Sequence, residues 1–106
     1  MEAALKALAE PNRRRILSLV RDEELTAGEI ASHFRVTRPA VSQHLTVLKE
    51  AGLVHERRNG TRRLYSVRPE GLADVKAFLE SFWDEKLDAL KREAEREERR
   101  RRGEHH

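Results

Sequence analysis

Apolar residues recur along most of the chain in steps of three and four, the rhythm of helices with one buried face, and one short stretch breaks it. Ala4, Leu5 and Leu8 mark a first helix over residues 2–9, which Glu10-Pro11 ends. Pro11 opens a second helix to about residue 21, with Ile16, Leu17, Leu19 and Val20 turned inward and Arg13, Arg14 and Arg15 on a solvated side. Thr26 followed by Glu29 fits a capping box, so a third helix is expected over residues 27–34, presenting Ile30, Ala31 and Phe34 to a core. Arg35 and Val36 leave room only for a turn before Thr37, the N-cap of a fourth helix over residues 38–51. Pro39 sits in its first turn and Gly52 stops it. At about 100° per residue, Val41, Leu45 and Leu48 share one side of this helix, while Pro39, Ser42, Gln43, Thr46 and Glu50 share the other. The third and fourth helices thus form a helix-turn-helix pair.

The break in rhythm comes after Gly52. Strand-like runs over residues 53–58 and 61–67 flank Asn59-Gly60, the strongest short signal for a hairpin, in which both turn residues are expected at positive φ. Arg68, Pro69, Glu70 and Gly71 reset the chain, and a long helix follows over residues 70–100. Leu72, Val75, Leu79, Phe82, Trp83, Leu87 and Leu90 trace one stripe along it. A domain this small cannot cover all of that stripe, so it is read, with Leu5 and Leu8, as a dimer interface. The alternative is that the helix folds back on its own domain. Past Leu90 only Ala94 is apolar, which divides the chain into residues 1–90, a binding and dimerisation domain, and residues 91–106, a charged helix end and tail. His105 and His106 are given no function. The fold class is mostly α with a small β-hairpin: a winged helix-turn-helix with a long C-terminal dimerisation helix.

Composition changes this picture in two ways. Hydrophobic residues are 38% and charged residues 39% of the 106, so the core is modest and a partner chain would help to bury apolar surface. There is no cysteine, which excludes disulfide, thiolate-metal and cysteine-nucleophile chemistry. No apolar run approaches the roughly 18 residues of a membrane span and Met1, Glu2, Ala3 and Ala4 open no signal-peptide pattern, so a cytoplasmic protein without membrane association is expected.

The net charge of +3 says little, but its distribution is uneven. Residues 1–37 balance to zero, residues 38–68 carry +5 and residues 69–106 carry −2. The excess positive charge lies on the fourth helix and the hairpin, whose tip is crowded by Arg57, Arg58, Arg62 and Arg63, as a phosphate-binding surface requires. A helix whose outer face begins with Arg38, Ser42 and Gln43, beside a cationic wing, suits a DNA major groove. The candidate DNA-binding residues are therefore Thr37, Arg38, Pro39, Ser42, Gln43, His44, Thr46, Arg57, Arg58, Arg62 and Arg63.

The wording resembles the ArsR/SmtB family of bacterial repressors. The resemblance is carried by residues 5–17, by Arg38, Pro39, Ala40, Val41, Ser42, Gln43, His44 and Leu45, by residues 48–54, and by Arg62, Arg63, Leu64 and Tyr65. It implies a homodimeric repressor whose outer helices pair the subunits and whose fourth helix reads the major groove of double-stranded DNA at an inverted-repeat operator. Many members release DNA on binding a metal, and here the sequence departs from the pattern. Thr26, Gly28 and Ala31 offer no thiolate where a third-helix site would lie, and the long helix holds Asp74, Asp84 and Asp88 but no histidine. His33, His44 and His55 show no ligand spacing, so neither a metal nor a cofactor is expected. No nucleophile and base, paired acid or glycine-rich phosphate loop emerges, so catalysis is not expected. The competing function is a winged-helix module that binds a protein partner through the long helix and DNA without sequence preference.

Overall fold

Local signals place nearly every element of the computed structural model, which describes residues 1–104 apart from the side chains of Asp84 and Glu104; His105 and His106 lie outside the described residues. In order these are α1 (Glu2–Leu8), α2 (Pro11–Leu19), α3 (Ala27–Ala31), α4 (Arg38–Glu50), β1 (Val54–Asn59), β2 (Arg62–Val67), a 3-10 turn (Pro69–Leu72) and α5 (Ala73–Glu104). The mostly helical winged fold is the one the pattern predicts.

The helix starts follow their caps. The Glu10 carboxylate accepts from the Arg13 amide at 3.0 Å. Thr26 and Glu29 close the expected capping box, the Glu29 amide donating to the Thr26 hydroxyl at 3.1 Å and the Thr26 amide to Glu29 at 3.0 Å. Thr37 accepts from the Ala40 amide at 3.3 Å. At the end of α4, Gly52 adopts φ +75°, and the amides of Gly52 and Leu53 donate to the carbonyls of Lys49 (3.0 Å) and Leu48 (2.9 Å). That pair of bonds is a Schellman closure, and it drops Leu53 beside Leu48 in the core. Gly71 is required for another reason: a Cβ there would overlap the carbonyl oxygen of Gly52.

Four expectations need correction. First, α3 ends at Ala31 rather than 34: the Ser32 hydroxyl donates to the Glu29 carbonyl at 2.6 Å, and the amides of His33 and Phe34 reach back only three residues, to Ile30 and Ala31. Second, α2 ends at Leu19 rather than near 21, because the Val20 carbonyl accepts from the Val67 amide of β2 at 3.2 Å. Third, Asn59 pairs with Arg62 as the last step of the ladder, and the loop is Gly60-Thr61. Gly60 alone has positive φ (+67°) among the described hairpin residues, the pattern of a type II′ turn with glycine first, so Asn59 does not take the left-handed conformation expected of it. Fourth, Arg13, Arg14 and Arg15 are not simply solvated. Arg13 donates to the carbonyls of Ala7 (2.7 Å) and Lys6 (3.2 Å) and Arg14 to that of Leu8 (2.7 Å), completing the C-terminal end of α1. Arg15 donates to the His33 carbonyl at 3.2 Å and stacks over the Phe34 ring at 4.4 Å, holding the end of the α3 segment.

β1 and β2 are antiparallel, and Leu25 exchanges two backbone hydrogen bonds with Tyr65, at 3.1 and 2.8 Å, on the other side of β2. Leu25 thereby ties the wing to the connector before α3 and covers the β2 edge.

The chain divides into two units, Met1–Val75 and Lys76–His106. The first holds the whole described core, in which Ile16, Val20, Ile30, Val41, Leu45, Leu48 and Leu53 are fully buried. Its buried side chains are all apolar among the described residues, so no buried charge weakens it. Within its described residues the second unit is helix, and its large apolar side chains are exposed.

Candidate nucleic-acid interface

α4 is oriented by its inner face. With Val41 and Leu48 at 0% and Leu45 at 2% exposure, the opposite side must face outward, and Arg38, Pro39, Ser42, Gln43 and Thr46 are all exposed. Thr37 is exposed as well, but its hydroxyl is committed to the cap. Thr46 donates to the Ser42 carbonyl at 3.0 Å, which leaves the lone pairs of its hydroxyl outward. Arg38 has no ion-pair or hydrogen-bond partner among the described residues.

The outer face of α4 and the wing border two open depressions. One lies between the starts of α3 and α4 and the wing, lined by Thr26, Arg38, Ser42, Arg62, Arg63 and Tyr65 among others. The second continues along α4 past Thr46 and Lys49 to Glu56, with Arg63 and Tyr65 common to both. Arg38, Ser42, Thr46, Arg62 and Arg63, five of the eleven residues singled out for DNA binding, are thus brought to one continuous concave surface, and Thr37, Pro39 and Gln43 are exposed. His44 is not: it is half-buried, with Nε2 3.9 Å from the Glu10 carboxylate and Nδ1 3.5 Å from the Arg13 guanidinium, and so faces the α1–α2 connection.

The wing arginines differ sharply in their surroundings. Arg57 forks onto Glu24 with two hydrogen bonds of 2.9 Å. Arg62 donates to Glu29 at 3.1 Å. Arg63 lies 3.3 Å from Glu56, which also accepts from Lys49. Arg58 alone of the four has no such partner among the described residues, and it sits directly across the ladder from Arg63. That like-charge pair is unfavourable by itself, and Glu56, on the same face of the hairpin, offsets it. The carboxyls respond accordingly. Glu24 is held below its ordinary value by the Arg57 hydrogen bond, Glu29 by its hydrogen bonds with Thr26 and then by Arg62, and Glu56 by Lys49 and then by its arginine neighbours. The Arg57 guanidinium is raised by Glu24 in return.

Sequence reasoning did not find Glu24, Glu29 and Glu56 as partners of the wing. The first two stand 33 residues from the arginines they hold, and no local spacing signals such a pair. It also passed over Phe78, for which a signal existed: Phe78 lies three residues after Val75 and four before Phe82, and its ring meets that of Phe82 edge-on at 5.1 Å.

The stripe proposed for dimerisation is divided between the two units. In the first, Val75 is 5% exposed and belongs to the chain's own core, while Leu5, Leu8 and Leu72 pack half-buried against it. In the second, Phe78, Leu79, Phe82, Trp83, Leu87 and Leu90 are 43–59% exposed. Among the described residues no three or more His, Asp or Glu side chains gather as a metal would need, and no helix is long and apolar enough to cross a membrane.

Comparison with known proteins gives a consistent result. Residues 10–56 match the family model described as bacterial regulatory protein, arsR family. The chain is 46% identical over 86 residues, 81% of its own length and 80% of the relative's, to the HTH-type transcriptional regulator Rv2034 of Mycobacterium tuberculosis. It is 39% identical over 82 residues, 77% of this chain and 91% of the relative, to the transcriptional repressor SdpR of Bacillus subtilis. Among solved structures, a possible transcriptional regulator for arsenical resistance superposes with a TM-score of 0.69 at 48% identity, covering 81% of this chain and 90% of that one. The homodimeric winged helix-turn-helix DNA-binding domain of Mb0332 from Mycobacterium bovis superposes with a TM-score of 0.63 at 35% identity, covering 81% and 80%.

Proposed function

The chain belongs to the arsR family of bacterial regulatory proteins, and from that premise we propose that it is a homodimeric, sequence-specific DNA-binding repressor acting on an inverted-repeat operator in the cytoplasm. The observation that carries this reading is the two-sidedness of α4: one face closes the core, and the other offers Arg38, Ser42 and Gln43 beside a cationic wing.

Ser42 and Gln43 have the donors and acceptors to read base edges, and Arg38 can reach a guanine edge or a phosphate. Pro39 can pack on a thymine methyl. Thr37 and Thr46 border this surface, and the wing arginines add phosphate or minor-groove contacts. His44, which faces Glu10 and Arg13, acts by holding α4 against the α1–α2 connection. The exposed stripe of α5 pairs two chains. Two-fold pairing places the half-sites about 10 bp apart or at a multiple of that spacing. The sequence carries neither of the two metal-ligand patterns weighed above. Its role is regulatory rather than catalytic, in keeping with relatives that are transcriptional regulators.

Selection of bound duplexes from a random pool, repeated at several salt concentrations, tests this directly. A two-fold-symmetric site is expected. Gln43→Ala should flatten base preference within it, whereas Arg38→Ala or Arg58→Ala should lower the salt slope by about one unit. Binding to all duplexes alike would instead identify a protein-interaction module with nonspecific DNA affinity.

A further inference from the structure

Three of the four wing cations are already answered by anions. Glu24 comes from the connector after α2 and Glu29 from α3, so the positive charge that stands unopposed along the sequence meets carboxylates brought in by the fold. A guanidinium engages a carboxylate in the geometry it would use for a phosphate. A DNA phosphate can therefore take the engaged N–H groups of Arg57 or Arg62 only by displacing the carboxylate, and a phosphate that takes their remaining donors is repelled by the carboxylate beside it.

We infer that Glu24 and Glu29 are specificity-determining residues: by occupying Arg57 and Arg62 they suppress binding to arbitrary phosphate backbone and leave discrimination to the outer face of α4. The inference rests on the DNA-binding function proposed above. Both pairs are open to a ligand, with side-chain exposures of 55% and 36% for Arg57 and Glu24, and 58% and 47% for Arg62 and Glu29. Both carboxyls are held below their ordinary value, so they stay charged near neutrality. If the carboxylates instead kept their arginines in the complex and only splinted the wing, removing them would weaken DNA binding. The two roles thus predict opposite signs.

The test uses Glu24→Gln and Glu29→Gln, singly and together. Glutamine at position 29 still closes a capping box, so the start of α3 is retained, and thermal melts verify the fold. Fluorescence anisotropy is measured on the duplex recovered by selection and on a shuffled duplex of the same composition. The double variant should bind the shuffled duplex about three- to tenfold tighter at about 0.1 M salt and gain less on the selected one, so that the ratio between them falls. The charge-matched control, Glu93→Gln with Glu95→Gln on α5, should change both duplexes by less than about twofold. Unchanged or weaker binding of the shuffled duplex by the double variant, or tightening equal to that of the control, overturns the inference. Wild-type protein that binds no duplex defeats the DNA-binding reading itself; wild-type protein that binds, with variants of unaltered discrimination, defeats only this one.

Discussion

α4 and α5 announce themselves by the same signal, apolar residues three and four apart, and they end in opposite states. The apolar face of α4 is 0–2% exposed at Val41, Leu45 and Leu48, whereas Leu79, Phe82, Trp83, Leu87 and Leu90 of α5 keep 46–59% of their surface in contact with water. Periodicity establishes that a face is apolar and leaves open what covers it. For α4 the cover is in the same unit, supplied by α1, α2, α3 and the hairpin. In the second unit no described apolar surface answers the stripe. A run of five large side chains, one of them the only tryptophan, is more than isolated surface residues account for, and in the function proposed above it is the face offered to a second copy.

The contrast can be broken most forcefully at the core. Leu48→Ala should cost about 2–5 kcal/mol of folding stability, read as a lower urea midpoint. Trp83→Ala should leave the first unit folded and weaken self-association by about 2 kcal/mol, roughly thirtyfold, read by sedimentation across concentration. A stability loss from Trp83→Ala that matched Leu48→Ala in a monomer would erase the distinction between the two helices.

Smaller effects sharpen it. Gly52→Ala should cost about 1–2 kcal/mol in thermal unfolding, because a Cβ is strained at φ +75° and the Schellman closure that drops Leu53 into the core depends on that conformation. Thr26→Ala should cost about 1 kcal/mol through loss of the cap. The smallest effect is on acid stability. Glu24, Glu29 and Glu56 have folded-state values depressed from the ordinary 4.5, so their stabilising contribution is present above that pH and is lost as pH falls below 4.5 through the folded values. The Glu24→Gln, Glu29→Gln protein should accordingly show a shallower loss of melting temperature below pH 4.5 than the wild type. An equal slope for the two would remove these pairs from the acid response.

What could be read from the chain was written locally. Thr26 with Glu29, Thr37 with Pro39, and Gly52 each specify a helix boundary within a few residues, and α4 with its two faces follows from them. The hairpin was legible, but its turn was not. Asn59-Gly60 serves as a type I′ loop or as the step into a type II′ loop, and the ladder from Val54 opposite Val67 to Asn59 opposite Arg62 decides between them. The ends of α2 and α3 depended on a carbonyl recruited by β2 and on a serine folding back on its own turn. The arginines were least legible of all. In Arg13, Arg14 and Arg15 the sequence shows a cationic run, and the fold spends it on helix-end carbonyls and an aromatic ring. In the wing it shows four equivalent charges, and the fold leaves one of them without a partner among the described residues. Phe78 is different, since its spacing was visible.

The pairing of chains and the reading of DNA meet in one quantity, the mass under native conditions of the saturated complex with the duplex recovered by selection. Two chains on one duplex is the expected result, with Trp83→Ala shifting the complex toward partial occupancy. A saturated complex that holds a single chain would contradict it.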